Sequence, residues 1–181
     1  PVVTFESGSA AVTDTSITYV NTSGNIWTAA YTTDASDTDG SVTYSIAFND
    51  LSSNAGTAVT GGGVTFDDTV PTLSSVAIAS NNSTTTLAKV ADVVTLTFKA
   101  SETIGTTVVT FTSGSDAITD TSITYVSSGN TWTAKYTADT SDTAGTVAYS
   151  IAFSDSVGNA GTAVTSGSGS VTFDKTVPTL S

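Results

Sequence analysis

Cysteine, histidine and arginine do not occur in this chain, and lysine occurs only four times in 181 residues. Without cysteine there is no disulfide framework, and the redox compartment cannot be read from thiols. Losing histidine as well removes the commonest general base, the thiol nucleophile and the usual zinc ligands. What remains for catalysis is Asp, Glu, Ser, Thr, Tyr and Lys, and the sequence predicts no enzyme. Four scattered lysines against sixteen carboxylates, a net charge of −12, build no basic patch. That argues against nucleic acid and anionic membrane surfaces as partners and favours cations. No apolar run approaches eighteen residues and no signal peptide is visible, so membrane insertion is not expected. Pro1 is not a natural start, and the chain is expected to be a mature fragment or a piece of something longer. Thr, Ser, Ala, Val and Gly dominate, with few helix-favouring runs, as in an extracellular all-β protein.

What is present is a duplication. Val64-Thr65-Phe66-Asp67-Asp68-Thr69-Val70-Pro71-Thr72-Leu73-Ser74 returns as Val171-Thr172-Phe173-Asp174-Lys175-Thr176-Val177-Pro178-Thr179-Leu180-Ser181, with ten of eleven positions identical. Val2–Val20 aligns with Val108–Val126, and Thr22–Thr60 with Ser127–Thr165. Over these 69 aligned positions 53 are identical, on polar as well as apolar sites, which indicates tandem duplication at about 107 residues per repeat. Ser75–Thr106 has no counterpart in the first copy. The expected organisation is therefore 1–70 as a partial repeat lacking its first two strands, 71–177 as a complete repeat, and 178–181 as the start of a next one.

Within the complete repeat, apolar residues alternate with polar ones at period two. Val76 and Ile78 open a first strand. Val94, Leu96 and Phe98 point inward from a second, Asp92–Ala100. Val109 and Phe111 mark a third, Ile123 and Tyr125 a fourth over Ser122–Val126. Trp132, Ala134 and Tyr136 face inward on a fifth. Val147, Tyr149, Ile151 and Phe153 form a sixth, and Val171 and Phe173 end a seventh. Seven short antiparallel strands with turns every eight to twelve residues predict an all-β, immunoglobulin-like antiparallel β-sandwich. Its threonine-studded outer faces read as ordinary solvated sheet surface, with glycan or ice binding as the alternative.

Val-Thr-Phe-Asp-Lys-Thr-Val-Pro-Thr-Leu, Leu-Thr-Phe-Lys-Ala-Ser-Glu, Trp-Thr-Ala-Lys-Tyr and Ile-Ala-Phe-Ser-Asp-Ser-Val-Gly-Asn-Ala-Gly together resemble the tandem bacterial Ig-like domains of large surface adhesins. The resemblance covers essentially the whole chain. It implies an extracellular stalk that projects a binding tip, with domains often stiffened by calcium at their junctions. One departure is Ser53, which stands where the second copy has Gly158, so the tight turn is not expected to be held constant between copies.

A metal site is also expected from topology. In such a sandwich the N-terminus shares a pole with the loops after the second, fourth and sixth strands, here including Ser101-Glu102 and Asp155–Asn159, and Asp67-Asp68-Thr69 leads into that pole. Two carboxylates about 4 Å apart repel by roughly 4 kcal/mol at an effective dielectric near 20. A cation relieves this, and calcium suits an all-oxygen set. The expected ligands are Asp67, Glu102, Asp155 and Asn159, with Asp174 and Asp50 as matching halves of sites shared with neighbouring repeats. The structural alternative is that these acids close turns. A second acidic loop, Asp34–Gly40, loses Asp39 to Ala144 in the other copy.

Other chemistry is not favoured. An isopeptide bond needs a buried lysine, whereas alternation turns Lys99 and Lys135 outward. Carboxylate pairs for glycoside hydrolysis need a cleft that no insertion builds. Asn21-Thr22-Ser23 and Asn82-Ser83-Thr84 fit a common glycosylation pattern. The missing third leaves Val3, Phe5, Trp27, Tyr44 and Phe48 under-covered. The sequence therefore predicts a non-catalytic stalk or spacer repeat of a bacterial cell-surface adhesin or extracellular fibre, with neighbouring repeats of the same or another copy as partners. A strand-exchanging filament subunit, a homopolymer, is the alternative.

Overall fold

The computed structural model describes residues 1–120 and 122–180; Ser181, the last residue of the expected next repeat, lies outside them. Every regular element among the described residues is a β-strand. The chain divides into two units, Pro1–Thr69 and Val70–Ser181.

Unit 2 is the fuller of the two. Its strands are β7 (Leu73–Ser80), β8 (Leu87–Ala88), β9 (Val93–Ala100), β10 (Ile104–Ser113), β11 (Asp116–Ala117), β12 (Thr124–Ser128), β13 (Thr131–Thr137), β14 (Gly145–Asp155) and β15 (Val171–Phe173). They form one sheet in the order β12-β13-β9-β7 and a second in the order β11-β10-β14-β15-β8. All pairings are antiparallel except β15 with β8. Lettering the seven main strands A to G in chain order makes these sheets D-E-B-A and C-F-G, the constant-type immunoglobulin arrangement. The fold is an immunoglobulin-like antiparallel β-sandwich.

Alternation builds its core. On β14 every second residue from Val147 to Phe153 is buried, and on β9 Val94, Leu96 and Phe98 are fully buried. These meet Val109 and Phe111 of β10, Tyr136 of β13, and Val171 and Phe173 of β15. The Phe111 and Tyr136 rings lie 4.9 Å apart in a tilted pair. Two elements escape the seven-strand expectation: β8 and β11 are only two residues long, too short to show a period. The fourth strand also sits two residues later than the sequence suggests, because Thr124–Ser128 pairs in register with Thr131–Lys135 around the Gly129 turn. Gly129 adopts φ 57°, which fits that turn.

Unit 1 contains β1 (Val2–Ser7), β2 (Ala10–Ala11), β3 (Thr18–Ser23), β4 (Ile26–Ala30), β5 (Gly40–Ala47) and β6 (Val59–Phe66). The sheet order is β2-β1-β5-β6, with β3-β4 as a separate hairpin. By alignment these are the counterparts of β11-β10-β14-β15 and of β12-β13. No strand in the unit occupies the places of β7 and β9. The hairpin is tied to the sheet by Tyr19, whose hydroxyl accepts from the Val3 N–H and donates to the Val3 carbonyl, both at 3.1 Å. Tyr125 makes the same pair of contacts with Val109 in unit 2.

Candidate functional site

One end of unit 2 gathers three segments. The incoming chain is held by Thr72, whose N–H donates to Ser101 Oγ at 3.0 Å and whose carbonyl accepts from the Ser101 N–H at 2.9 Å. Pro71, one residue earlier, is fully buried. Ile104, just past Glu102, pairs with Asp155 at the end of β14. The loop after β14 then folds back, its Gly161 N–H donating to the Phe153 carbonyl at 3.0 Å. A side-chain carbon on Gly161 would meet the Phe153 ring and the Pro71 carbonyl, so glycine is required by close approach.

Asp155 arrives there through strand periodicity. It continues the inward phase of Val147, Tyr149, Ile151 and Phe153, and is 4% exposed. A buried carboxylate needs donors. Its Oδ1 accepts from the N–H groups of Val157 (2.9 Å), Gly158 (2.7 Å) and Asn159 (2.9 Å), and Oδ2 accepts from Asn159 Nδ2 at 2.7 Å. Burial pushes its pKa up, but the donors from Gly158, Asn159 and Val157 outweigh it, and the carboxyl titrates below its ordinary value. Glu102 and Asp155 each place a carboxylate oxygen within 4.8 Å of the other. The structure thus brings together Glu102, Asp155 and Asn159.

Asp67 belongs to unit 1, three residues before the start of unit 2, and accepts the Thr69 N–H at 3.1 Å. Asp174 does the same for Thr176 at 2.8 Å. It directly follows Phe173, which pairs with Gly145 at the opposite end of β14 from Asp155, roughly 30 Å away at 3.3 Å per residue. Asp50 repeats the Asp155 arrangement in unit 1: Oδ1 accepts from the Ser52 and Asn54 N–H groups at 2.8 and 2.9 Å, and Oδ2 from Asn54 Nδ2 at 2.9 Å.

The tight turn differs in detail between the copies: Ser53 takes φ 66° and its N–H donates to the Asp50 carbonyl at 3.1 Å, whereas Gly158 takes φ 109° and its N–H donates to Asp155 Oδ1 at 2.7 Å, although the acid closes the loop in both. Asp155 and Asp50 each close the loop that follows them, as an aspartate in a turn does.

Two buried acids were missed as structural anchors. Asp142 Oδ1 accepts from Thr119 N–H and Oγ1 at 2.8 and 2.9 Å, and Oδ2 from the Asp139 N–H at 2.9 Å. Asp37 repeats this with Thr13 and Asp34. The available signal was that Thr13 and Asp37 persist as Thr119 and Asp142. Lys99 and Lys135 are exposed, as alternation predicted.

Comparison by sequence gives no match to a protein-family model or to a curated protein. Among solved structures, the chain is similar to the titin domains Z1Z2 in complex with telethonin, at 15% identity and a TM-score of 0.31, over 99% of this chain and 83% of that one. A likeness at this level carries no functional argument, and the immunoglobulin-like assignment stands on strand order. Among the described residues no helix is long and apolar enough to cross a membrane.

Proposed function

We propose that this protein is a non-catalytic structural repeat, a stalk or spacer of a bacterial cell-surface adhesin or extracellular fibre, stiffened by calcium where one repeat leads into the next. The observation that carries the reading is the near-identity of the two copies, surface positions included: selection for a particular reactive site keeps a few residues, whereas a spacer is extended by copying whole repeats. The acid-rich, lysine-poor composition suits an extracellular surface.

The calcium part rests on chemistry at one end of unit 2. Glu102 and Asp155 offer carboxylate oxygens within 4.8 Å of one another, hard donors of the kind calcium takes, and Asn159 is held beside them by its hydrogen bonds to Asp155. Asp67 joins the set through its place in the sequence, four residues ahead of the buried Pro71. Asp174 and Asp50 supply the corresponding positions for neighbouring repeats.

Calorimetric titration of the full chain with calcium, and melting with calcium and then with chelator, tests this. Binding at millimolar affinity or tighter, a raised melting temperature and loss of both in Glu102→Gln support it; no binding at millimolar calcium overturns the metal. Replacing the chain, in the fibre that carries it, with an unrelated sandwich of equal length preserves attachment if the role is that of a spacer. Loss of attachment would point instead to a binding module.

A further inference from the structure

The acidic loop at residues 34–40 recurs at residues 139–145, with Thr140 for Ala35 and Ala144 for Asp39, and the two turns are built alike. The Asp37 N–H donates to the Asp34 carbonyl at 2.8 Å and the Asp142 N–H to the Asp139 carbonyl at 3.1 Å. Ser7 Oγ donates to the Thr38 carbonyl and Ser113 Oγ to the Thr143 carbonyl, both at 2.7 Å. Gly40 and Gly145 take φ 138° and 143°. The last strand of each repeat runs in the same register, with Phe66 opposite Gly40 and Phe173 opposite Gly145. Ala35, Asp37 and Asp68 of unit 1 therefore stand where unit 2 has Thr140, Asp142 and Lys175.

In unit 2 that place holds a cation. Lys175 Nζ donates to the carbonyls of Thr140 and Asp142 at 2.9 and 2.7 Å, so two main-chain oxygens converge on one positive charge. Unit 1 keeps the turn that presents these oxygens, now on Ala35 and Asp37, but residues 1–69 contain no lysine or arginine. Carboxylates are gained in the same copy. Asp34, Asp37, Asp39, Asp67 and Asp68 stand where unit 2 has Asp139, Asp142, Asp174 and Lys175; five acids give −5, and three acids with one lysine give −2. The Asp39 carboxylate is fixed by the Asp68 N–H at 3.0 Å and by Thr69 Oγ1, and the Asp68 carboxyl lies against it. Two like charges so placed repel unless a cation joins them.

We propose that this end of unit 1 is a cation site, which takes a divalent ion of the calcium type on the Ala35 and Asp37 carbonyls and the Asp39 and Asp68 carboxylates, in the place that the Lys175 ammonium fills in unit 2. A donor set of oxygens alone, two of them from carboxylates, suits a hard ion that accepts carbonyls and completes its shell with water. The site lies within unit 1 and uses neither Glu102 nor Asp155, so it stands independently of calcium at the junction. Its ion does the work of the lysine, tying the end of β6 to the turn before β5. One copy is then fastened by dissolved metal and the other by its own side chain.

The test is a titration of the full chain with calcium chloride, followed by NMR at the backbone amides. Amides of residues 34–40 and 67–69 are expected to shift and saturate with a dissociation constant of about 1 mM or tighter, as in extracellular calcium modules, while those of residues 139–145 stay still. Glu102→Gln silences the response of residue 102 and residues 155–159 and leaves this one, so failure at either site is read separately. D39A/D68K gives unit 1 the residues of unit 2, and is expected to weaken the unit 1 response by about tenfold or more while keeping its urea midpoint in chelator. The reciprocal A144D/K175D is expected to create a calcium response at residues 139–145. No shift of the unit 1 amides at about 10 mM calcium overturns the proposal. So does an undiminished response in D39A/D68K, or an equal response to sodium chloride at matched ionic strength, which would be charge screening. Where D39A/D68K unfolds unit 1, the reciprocal pair decides: a calcium response at residues 139–145 supports the site, and none overturns it.

Discussion

Phe153 and Phe48 form a built-in experiment on what the second sheet contributes. Each sits at the same place in its repeat, and each lies against a glycine of the returning loop, Gly161 and Gly56 respectively. Removing the ring at Phe153 takes away a 95%-buried group from a filled core, where Phe→Ala costs about 3–5 kcal/mol because a cavity term adds to the transfer term. At Phe48 a little over half the surface is buried, so the transfer contribution is about 1.5 kcal/mol. No closed cavity forms there, since the site already opens into a cleft. With a urea slope near 1.5 kcal/mol/M, Phe153→Ala lowers the unit 2 midpoint by about 2.5 M and Phe48→Ala lowers that of unit 1 by about 1 M. The two transitions are followed in the full chain with Trp132 and Trp27 as separate reporters, each with the other tryptophan changed to Phe. Equal losses, or a larger loss at Phe48, would refute the view that the two units differ in how completely their cores are covered.

Gly161→Ala is expected to destabilise unit 2 by about 2–3 kcal/mol, because the new carbon meets the Pro71 carbonyl as well as the Phe153 ring; Gly56→Ala costs less, since the exposed Phe48 ring can move aside, and thermal melts of both variants check the order. Ser53→Gly relieves a left-handed serine at φ 66° and is expected to raise unit 1 stability by about 1 kcal/mol, read by urea unfolding. The third concerns acid. Asp92 is held below its ordinary carboxyl value by Asn82 and the Lys89 N–H, Asp139 by Ser141, and Asp155 by its loop donors despite burial. A carboxyl depressed in the folded state contributes stability that is fully present above its unfolded pKa of about 3.8 and is lost as pH falls through the lower folded pKa. Unit 2 should therefore melt at a constant temperature from about pH 7 to 5 and lose stability below about pH 4, with Asp92→Asn flattening the fall. A melting temperature that falls equally steeply in Asp92→Asn would count against that assignment.

The sandwich was legible because its core strands are amphipathic at period two for seven to eleven residues, long enough to outvote local ambiguity. On β14 the rule even placed Asp155 on the inward face, a consequence that composition alone would hide. Short strands such as β8 and β11 were not legible, since two residues carry no period and their pairing depends on where β15 and β10 come to lie. Clustering of Glu102 with Asp155 followed from topology: strand C begins at the pole where its antiparallel neighbour F ends, so the loops after B and F must meet. The positive φ of Ser53 was hidden because it is imposed by the hydrogen bonds of Asp50, and serine has no local preference that announces it. Burial of Asp37 and Asp142 was hidden for a similar reason, because aspartate in a turn is ordinary and only the paired threonine across the sheet shows that it is anchored.

The single substitution in the repeated eleven-residue stretch is coupled to a second one. Lys175 stands where the first copy has Asp68, and Ala144 where it has Asp39. Lys175 Nζ donates to the carbonyls of Thr140 and Asp142, at 2.9 and 2.7 Å, closing the turn that holds the buried Asp142 carboxylate. In unit 1 the polarity is reversed: Asp39 accepts from the Asp68 N–H at 3.0 Å and from Thr69 Oγ1, so an acid binds the exiting strand where a lysine does so in unit 2. The cost is visible on Asp68, whose carboxyl is pushed up by desolvation and by the neighbouring Asp39 and Asp67 charges. A lysine at Asp68 would meet Asp39 favourably, but an acid at Lys175 would face carbonyl oxygens with no donor to offer. The two copies therefore use different chemistry for one mechanical task, fastening the end of the last strand to the turn before the sixth.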